Sequence, residues 1–243
     1  MRIILVRSQE PGNIGSAARV MKNFGLSELY LVDPQCELEK PAFYMATHAK
    51  DLVENAVIVK SVEEAVADQT FVIGTTARTR SSGAYDIYTP RDAAKNFSRE
   101  GLAILFGPET SGLSNEDLDY CQAYIRIPTS EHSSMNLAQA VNLISYEFFT
   151  TQVDAGETQL TTDPPASRED LEKLYQHFFE MSNYIGYTDE GYAHKTEHMY
   201  RRIFDRARLT HREAMAMHGL WRRIRWAAEQ APERFPIIDK TET

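Results

Sequence analysis

The sequence predicts an α/β protein built on a mostly parallel sheet, followed by a small all-α domain. Three observations carry this expectation. Short runs of β-branched and aliphatic residues alternate with helical stretches over the first part of the chain. These runs are continuously apolar rather than alternating, as strands covered on both faces are. A polar break then separates them from a segment with helical patterns only.

The apolar runs are Arg2 to Val6, Leu29 to Val32, Ala56 to Val59, Thr70 to Ile73, Leu102 to Phe106 and Ala123 to Ile127. The first breaks at Pro11-Gly12, and the residues from Asn13 onward read as a helix with Asn13 as N-cap and Ile14, Ala18 and Met21 as its apolar stripe. Ser114 to Asp117 reads as another helix start, with acidic residues in the first turn where the helix dipole favours them. Ser134 and Asn136 are candidate caps for a helix reaching about Thr150. The stretch Thr151 to Asp170 is polar, contains Pro164-Pro165 and lacks an apolar period, so it reads as a linker. Helical patterns follow around Arg168 to Asn183, Thr196 to Arg208 and His211 to Glu229. The expected organisation is a sheet domain over 1–152, a linker over 153–166 and a helical domain over 167–243.

At 243 residues the chain is long enough for one full α/β core and a smaller appendage. Cys36 and Cys121 lack metal or redox spacing and read as small buried hydrophobes in a reducing compartment. No window approaches a membrane span and "MRIILVRSQ" is too short in its apolar part for a signal peptide, so a cytoplasmic protein without a membrane partner is expected. The net charge of -9 is uneven: residues 1–164 carry 13 basic and 22 acidic residues, while 165–243 carry 13 of each. Tyr200 to Trp226 holds eight arginines against Asp205 and Glu213, a basic band hidden by the average.

Four of the predicted strands end in loops of small and polar residues: "EPGNIGS" after the first, then Gly74 to Arg80, Gly107 to Leu113 and Pro128 to Leu137. A parallel sheet places such loops together at its carboxyl edge, where α/β proteins bind ligands. There is no GxxxxGK[ST], which argues against a P-loop enzyme. Gly12 and Gly15 with Asp33 after the second strand come near a Rossmann fingerprint without matching it, although Asp33-Pro34 also reads as an ordinary turn.

Asn13-x-Gly15-x-x-x-Arg19, "LFGPETSGL" from Leu105 to Leu113, and "IRIPTSEHSSMNLAQAV" from Ile125 to Val141 together resemble the three ordered motifs of the SPOUT superfamily of RNA 2'-O-methyltransferases. The "TTARTR" loop and the appended arginine-rich helices look most like the branch that methylates the ribose of nucleotide 32, a cytidine or uridine, in the tRNA anticodon loop. The resemblance implies a C-terminal trefoil knot in the sheet domain, S-adenosylmethionine as methyl donor without a metal, and a homodimer formed through the catalytic domain. In that dimer the first-motif arginine of one chain lies near the cofactor of the other. The matched positions make Arg19, Asn13, Glu109, Ser134 and Asn136 the candidate catalytic residues, with Glu109 orienting Asn13 or Arg19. Thr75, Thr76, Ala77, Gly107, Ile127, Ser133, Ser134 and Met135 are the candidate cofactor contacts. Arg7, Arg78 and Arg80 near the site, and Arg201, Arg202, Arg206 and Arg208 on the helices, are the candidate tRNA contacts.

Each has a more ordinary role. Asn13 is a plain helix cap, Arg19 a solvated side chain, and Glu109 a carboxylate at a helix start. Gly15 and Ala17 suit close backbone approach, to a second subunit or to a ribose. His194 and His198 are spaced i, i+4 but lack a zinc context, and His132 sits in the third loop, where it is either exposed or near substrate. Trp221 and Trp226 read as helix packing, and Tyr175, Phe178 and Phe179 as core. The alternatives are the same chemistry at another RNA position, a Rossmann-type nucleotide enzyme, or an RNA-binding module without catalysis.

Overall fold

The computed structural model describes residues 1–77, 86–130, 135–154, 163–188 and 193–230. They belong to two compact units, Met1–Gln159 and Leu160–Thr243.

The first unit holds strands β1 (Arg2–Val6), β2 (Glu28–Val32), β3 (Val57–Val59), β4 (Phe71–Thr75), β5 (Ile87–Tyr88), β6 (Leu102–Phe106) and β7 (Ala123–Ile125). Their order in the sheet is β3-β2-β1-β6-β4-β7-β5, and each of these pairings is parallel. The helices are α1 (Pro11–Asn23), α2 (Lys40–Ala46), α3 (Lys50–Glu54), α4 (Val62–Val66), α5 (Pro90–Asn96), α6 (Asn115–Leu118) and α7 (Leu137–Asp154). Successive strand residues point to opposite faces. Ile3, Leu5, Ile104 and Phe106 therefore join α1, α2, α3, α5 and α7 in one core, while Ile4, Val6, Ala103 and Leu105 join α4 and α6 in the other. All five residues of β1 and of β6 are buried, which is why their sequence carries no polar alternation.

Each of the six expected strands forms, within two residues at either end. The sequence reading missed β5, a two-residue strand whose only partner among the described residues is β7. Two residues carry no period, so only the tertiary pairing defines it. The strand order also makes β1, β6, β4 and β7 neighbours, and these are the four strands followed by small, polar loops.

Two expectations about α1 need correction. The helix starts at Pro11, with Glu10 as N-cap, and not at Asn13. Proline's fixed φ suits the first helical position and its missing N–H costs nothing there, so the helix begins earlier and the Asn13 side chain is released from capping. The close approach at Gly15 is to the chain's own α2: a Cβ there would lie 1.9 Å from the Ala42 carbonyl oxygen. Replacing Gly15 with Ala must separate α1 from α2, and should destabilise the protein by about 1–3 kcal/mol or more, seen as a lowered urea midpoint at unchanged m-value.

The second unit contains α8 (Arg168–Tyr184), α9 (Ala193–Ala207) and α10 (His211–Gln230). Ser167 and Asp170 form a capping box at the start of α8. Leu171, Leu174, Tyr175, Phe178, Phe204, Ala214 and Trp221 make the core, as expected for Tyr175, Phe178 and Trp221. The sequence reading passed over Arg168, which is only 1 % exposed. Its guanidinium meets Asp205 of α9 at 3.0 Å and Glu172 at 2.6 Å, and the Tyr175 hydroxyl donates to the same Asp205 at 2.6 Å. Burial raises the Asp205 carboxyl above its ordinary range while Arg168 and Tyr175 pull it down. Loss of one partner would leave a buried charge unmatched. Arg168→Met should therefore lower stability by about 3–5 kcal/mol, measured as loss of the helical signal at reduced denaturant.

Candidate active site

The site forms where the loops after β1, β4, β6 and β7 meet. The segment after β6 folds back on itself: Gly112 donates to Pro108 at 2.9 Å and adopts φ +69°, which glycine tolerates. A Cβ on Gly107 would lie 2.2 Å from the Leu113 nitrogen. The expected reason for Gly107 was close cofactor approach; the immediate requirement is that its own loop returns across it. After β4, the Thr75 hydroxyl donates to Leu105 O at 2.9 Å and the Thr76 amide to Ile125 O at 3.0 Å, which ties this loop to both neighbouring strands.

These loops enclose a cavity of about 320 Å³. Thr75, Thr76, Ala77, Gly107, Ile127 and Met135, all expected cofactor contacts, line it. Ser133 and the doubly assigned Ser134 lie outside the described residues, as do Arg78, Arg80 and His132. Sequence reasoning missed Thr110 and Ser111, which supply hydroxyls to the wall, and Phe106, Ile125 and Ala140, which supply apolar surface. Their position inside the quoted motifs was the available signal.

Beside the cavity, Glu109 collects the first and second motifs. Its Oε1 accepts from the Asn13 amide at 2.8 Å, and its Oε2 accepts from the Gln9 backbone N–H at 3.2 Å. The Asn13 side-chain oxygen in turn accepts from the Asn136 amide at 2.9 Å. Asn136 Oδ1 accepts from the Ala138 N–H at 3.0 Å, so this residue caps α7 while also joining the chain. Three candidate catalytic residues, two from loops and Asn13 from the first turn of α1, thus form one hydrogen-bonded series: Glu109, Asn13, Asn136.

Arg19 stands apart from that series. It lies six residues beyond Asn13, which on a helix is about 9 Å along the axis and about 120° around it. It is exposed, with no hydrogen bond or ion pair among the described residues.

Arg7, an expected RNA contact, has an intramolecular partner. It forms a two-pronged pair with Asp117, a buried carboxylate that also accepts from the Ser114 N–H at 2.7 Å to complete the capping box of α6. The hydrogen bond to Asp117 holds the Arg7 guanidinium's pKa above its ordinary value. Asp33, the Rossmann-like acid, ends β2 in a turn in which the Gln35 amide donates to its carboxylate at 2.9 Å. Arg201 is likewise engaged: Glu172 at 2.7 Å and Glu197 at 3.1 Å neutralise it, and it lies 4.7 Å over the Tyr175 ring. Its charge serves the helical unit's core. Arg206 remains exposed, with no ion pair among the described residues. Arg202 is half-buried and Arg208 exposed.

A parallel sheet whose adjacent loops wrap a half-apolar cavity beside a series of polar side chains defines an α/β protein that holds a small molecule next to reactive chemistry. Residues 1–146 match the SpoU rRNA Methylase family, and the chain belongs to that family. It is 35% identical over 228 residues to the tRNA (cytidine/uridine-2'-O-)-methyltransferase TrmJ of Pectobacterium atrosepticum, covering 90% of this chain and 94% of that protein. The crystal structure of TrmJ from Z. mobilis superposes with a TM-score of 0.78 at 34% identity, over 92% of this chain and 98% of that one. The SpoU methyltransferase AviRb from Streptomyces viridochromogenes, solved in complex with AdoMet, aligns at 25% identity with a TM-score of 0.51, covering 64% of this chain and 59% of that one. Family membership displaces the Rossmann alternative. Among the described residues no helix is long and apolar enough to cross a membrane.

Truncating Arg7 to Ala should cost about 1–3 kcal/mol of stability, as loss of a hydrogen bond to a charged group does, and leave tRNA affinity at fixed salt unchanged. Glu109→Ala should cost about 1–3 kcal/mol of stability, as loss of hydrogen bonds to a charged acceptor does, while reducing turnover beyond any loss of folded protein through loss of the Asn13 position. Unfolding curves and single-turnover rates separate the two effects.

Proposed function

We propose that this protein transfers a methyl group from S-adenosylmethionine to the ribose 2'-hydroxyl of cytidine or uridine at nucleotide 32 of the tRNA anticodon loop. The observation that carries the proposal is the junction of all three motifs in one place: a cavity of small-molecule size walled by the second and third, with Asn13 of the first hydrogen-bonded to both. Likeness to named tRNA methyltransferases along nearly the whole chain supports tRNA as substrate.

The residues fit the donor. Phe106, Ile125, Ile127 and Met135 offer apolar surface for a purine, and Thr75, Thr110 and Ser111 offer hydroxyls for its polar groups. When bound there, the donor supplies an electrophilic methyl on a sulfonium, a leaving group that needs no metal. The protein's task is to exclude water, hold the 2'-oxygen in line about 3 Å from the methyl carbon, and stabilise the charge that oxygen develops. Asn136 and Asn13, fixed by Glu109, orient the ribose, and Ser134 joins them by its motif position. A guanidinium does not give up its proton, so Arg19 acts by stabilising the developing alkoxide and clamping phosphate.

Arg19 points away from its own chain's polar series, and this supports a composite site in a homodimer, where it serves the partner's cavity. Leu143, Tyr146 and Phe149 of α7 are 38–49 % exposed, and Phe24 just after α1 rests on the last two at ring distances of 6.1 and 5.7 Å. An apolar face of that kind suits burial against a second copy. The strand order, with β6 and β7 each entering between earlier strands, is compatible with the family's trefoil knot. A cytoplasmic location follows from the proposed substrate.

Mass-spectrometric mapping of ribose methylation on a tRNA pool, after incubation with enzyme and donor, tests the reaction and its position. Methylation is expected at nucleotide 32; a modification elsewhere in the anticodon loop would keep the chemistry and correct the position. Arg19→Ala should lose methyl transfer but retain donor binding by calorimetry. Mixing it with a cavity-blocked Ala140→Phe chain should restore about a quarter of wild-type activity, as random pairing in a two-fold dimer gives one good site in half the dimers. EDTA should change nothing, and restoration of lost activity by a divalent metal would contradict the mechanism.

A further inference from the structure

The helical unit carries a second feature, on the side of α10 away from its core. Ala214, Trp221 and Ala228 turn inward and are at most 8 % exposed. Arg223 lies about 200° around the helix from Trp221, and Trp226 about 140°. The sequence reading took Trp226 for a packing residue, yet it is 50 % exposed, with the Arg223 guanidinium 4.6 Å over its ring. One residue away, Arg225 lies 5.3 Å over the ring of Tyr184, which ends α8 and is 42 % exposed. Arg222 and Arg223 are exposed and have no carboxylate partner among the described residues; Arg225 pairs with Glu229 at 3.2 Å.

Two exposed aromatic rings, each beside a guanidinium, on a helix that also carries arginines without a carboxylate partner among the described residues, is an unusual surface for an acidic protein. Trp, Tyr and Arg are also enriched at protein–protein interfaces, but arginines with no carboxylate partner among the described residues favour a polyanion, which supplies the missing negative charge. What matches both features is a polyanion with exposed flat rings. Unpaired nucleotides supply phosphates for Arg222 and Arg223 and bases to stack on Trp226, whereas a duplex hides its bases.

We infer that the end of the helical unit formed by Tyr184, Arg222, Arg223 and Trp226 binds unpaired nucleotides of the RNA substrate, with Trp226 as the stacking platform. This rests on the proposed tRNA reaction and adds to it the residues and the kind of RNA segment that the helical unit reads. The arginines singled out earlier lie on α9 (Arg201, Arg202, Arg206) or just after it (Arg208); the platform adds a contact on α10.

The test measures binding of the full-length protein to a tRNA and to a fully paired RNA duplex of similar length. Trp226→Ala should weaken tRNA binding roughly tenfold, within the range that base stacking contributes, with little change on the duplex. Trp226→Phe should restore most of the loss. Arg223→Ala should lower the log–log salt slope by about 0.7 to 0.9, whereas Trp226→Ala should leave that slope unchanged. In a Trp221→Phe background, added tRNA should quench the single remaining tryptophan. Unchanged tRNA affinity of a Trp226→Ala protein of normal helicity, together with unquenched Trp226 fluorescence in the Trp221→Phe protein, would overturn the platform while wild-type methylation of tRNA left the proposed reaction standing. A change in sedimentation of Trp226→Ala at unaltered RNA affinity would assign the face to protein contact instead and equally overturn it. Absence of tRNA methylation by the wild type would count against the reaction itself.

Discussion

The active edge of the sheet depends on the carboxylate of Glu109. It is an acceptor with several lone-pair sites, placed where the loop after β6 passes the start of α1, and it gathers the Asn13 amide and the Gln9 N–H. Asn13 carries the connection to Asn136, and Asn136 carries it into the first turn of α7. Three loops that would otherwise move independently share one set of hydrogen bonds. Hydrogen bonds to a charged acceptor are stronger than neutral ones, which suits this point of convergence.

That convergence needs the backbone to behave unusually in two places. Pro11 starts α1 early, so that Asn13 can reach outward instead of capping. Gly107 admits the returning loop at a distance no side chain allows. The wall of the cavity and the polar series beside it are consequences of the same two choices. Gly15 serves a different purpose, seating α1 against α2.

The helical unit is organised on another principle. Arg168, Asp205, Tyr175, Glu172 and Arg201 form one buried or half-buried ionic network that sets the register of α8 against α9. Such networks add little net stability but make mismatched arrangements costly. They also consume arginine. Part of the basic band is structural, and another part lies on the solvent side of α10, where guanidinium groups accompany exposed rings.

The sequence by itself determined the fold class, six of the strands, the three C-terminal helices and the motifs that line the cavity, because these depend on local periodicity, turn chemistry and residue type. Thr75, Gly107, Ile127 and Met135 were named as cofactor contacts through the motif resemblance, and all four line the cavity. Tertiary structure alone decided what each polar side chain meets. Nothing local in the chain says that Arg7 answers Asp117, 110 residues away, that Arg201 answers Glu172, or that Trp221 faces inward while Trp226 faces water. A charge's partner and a ring's exposure depend on which elements pack together, and β5, two residues long, exists only because β7 lies beside it.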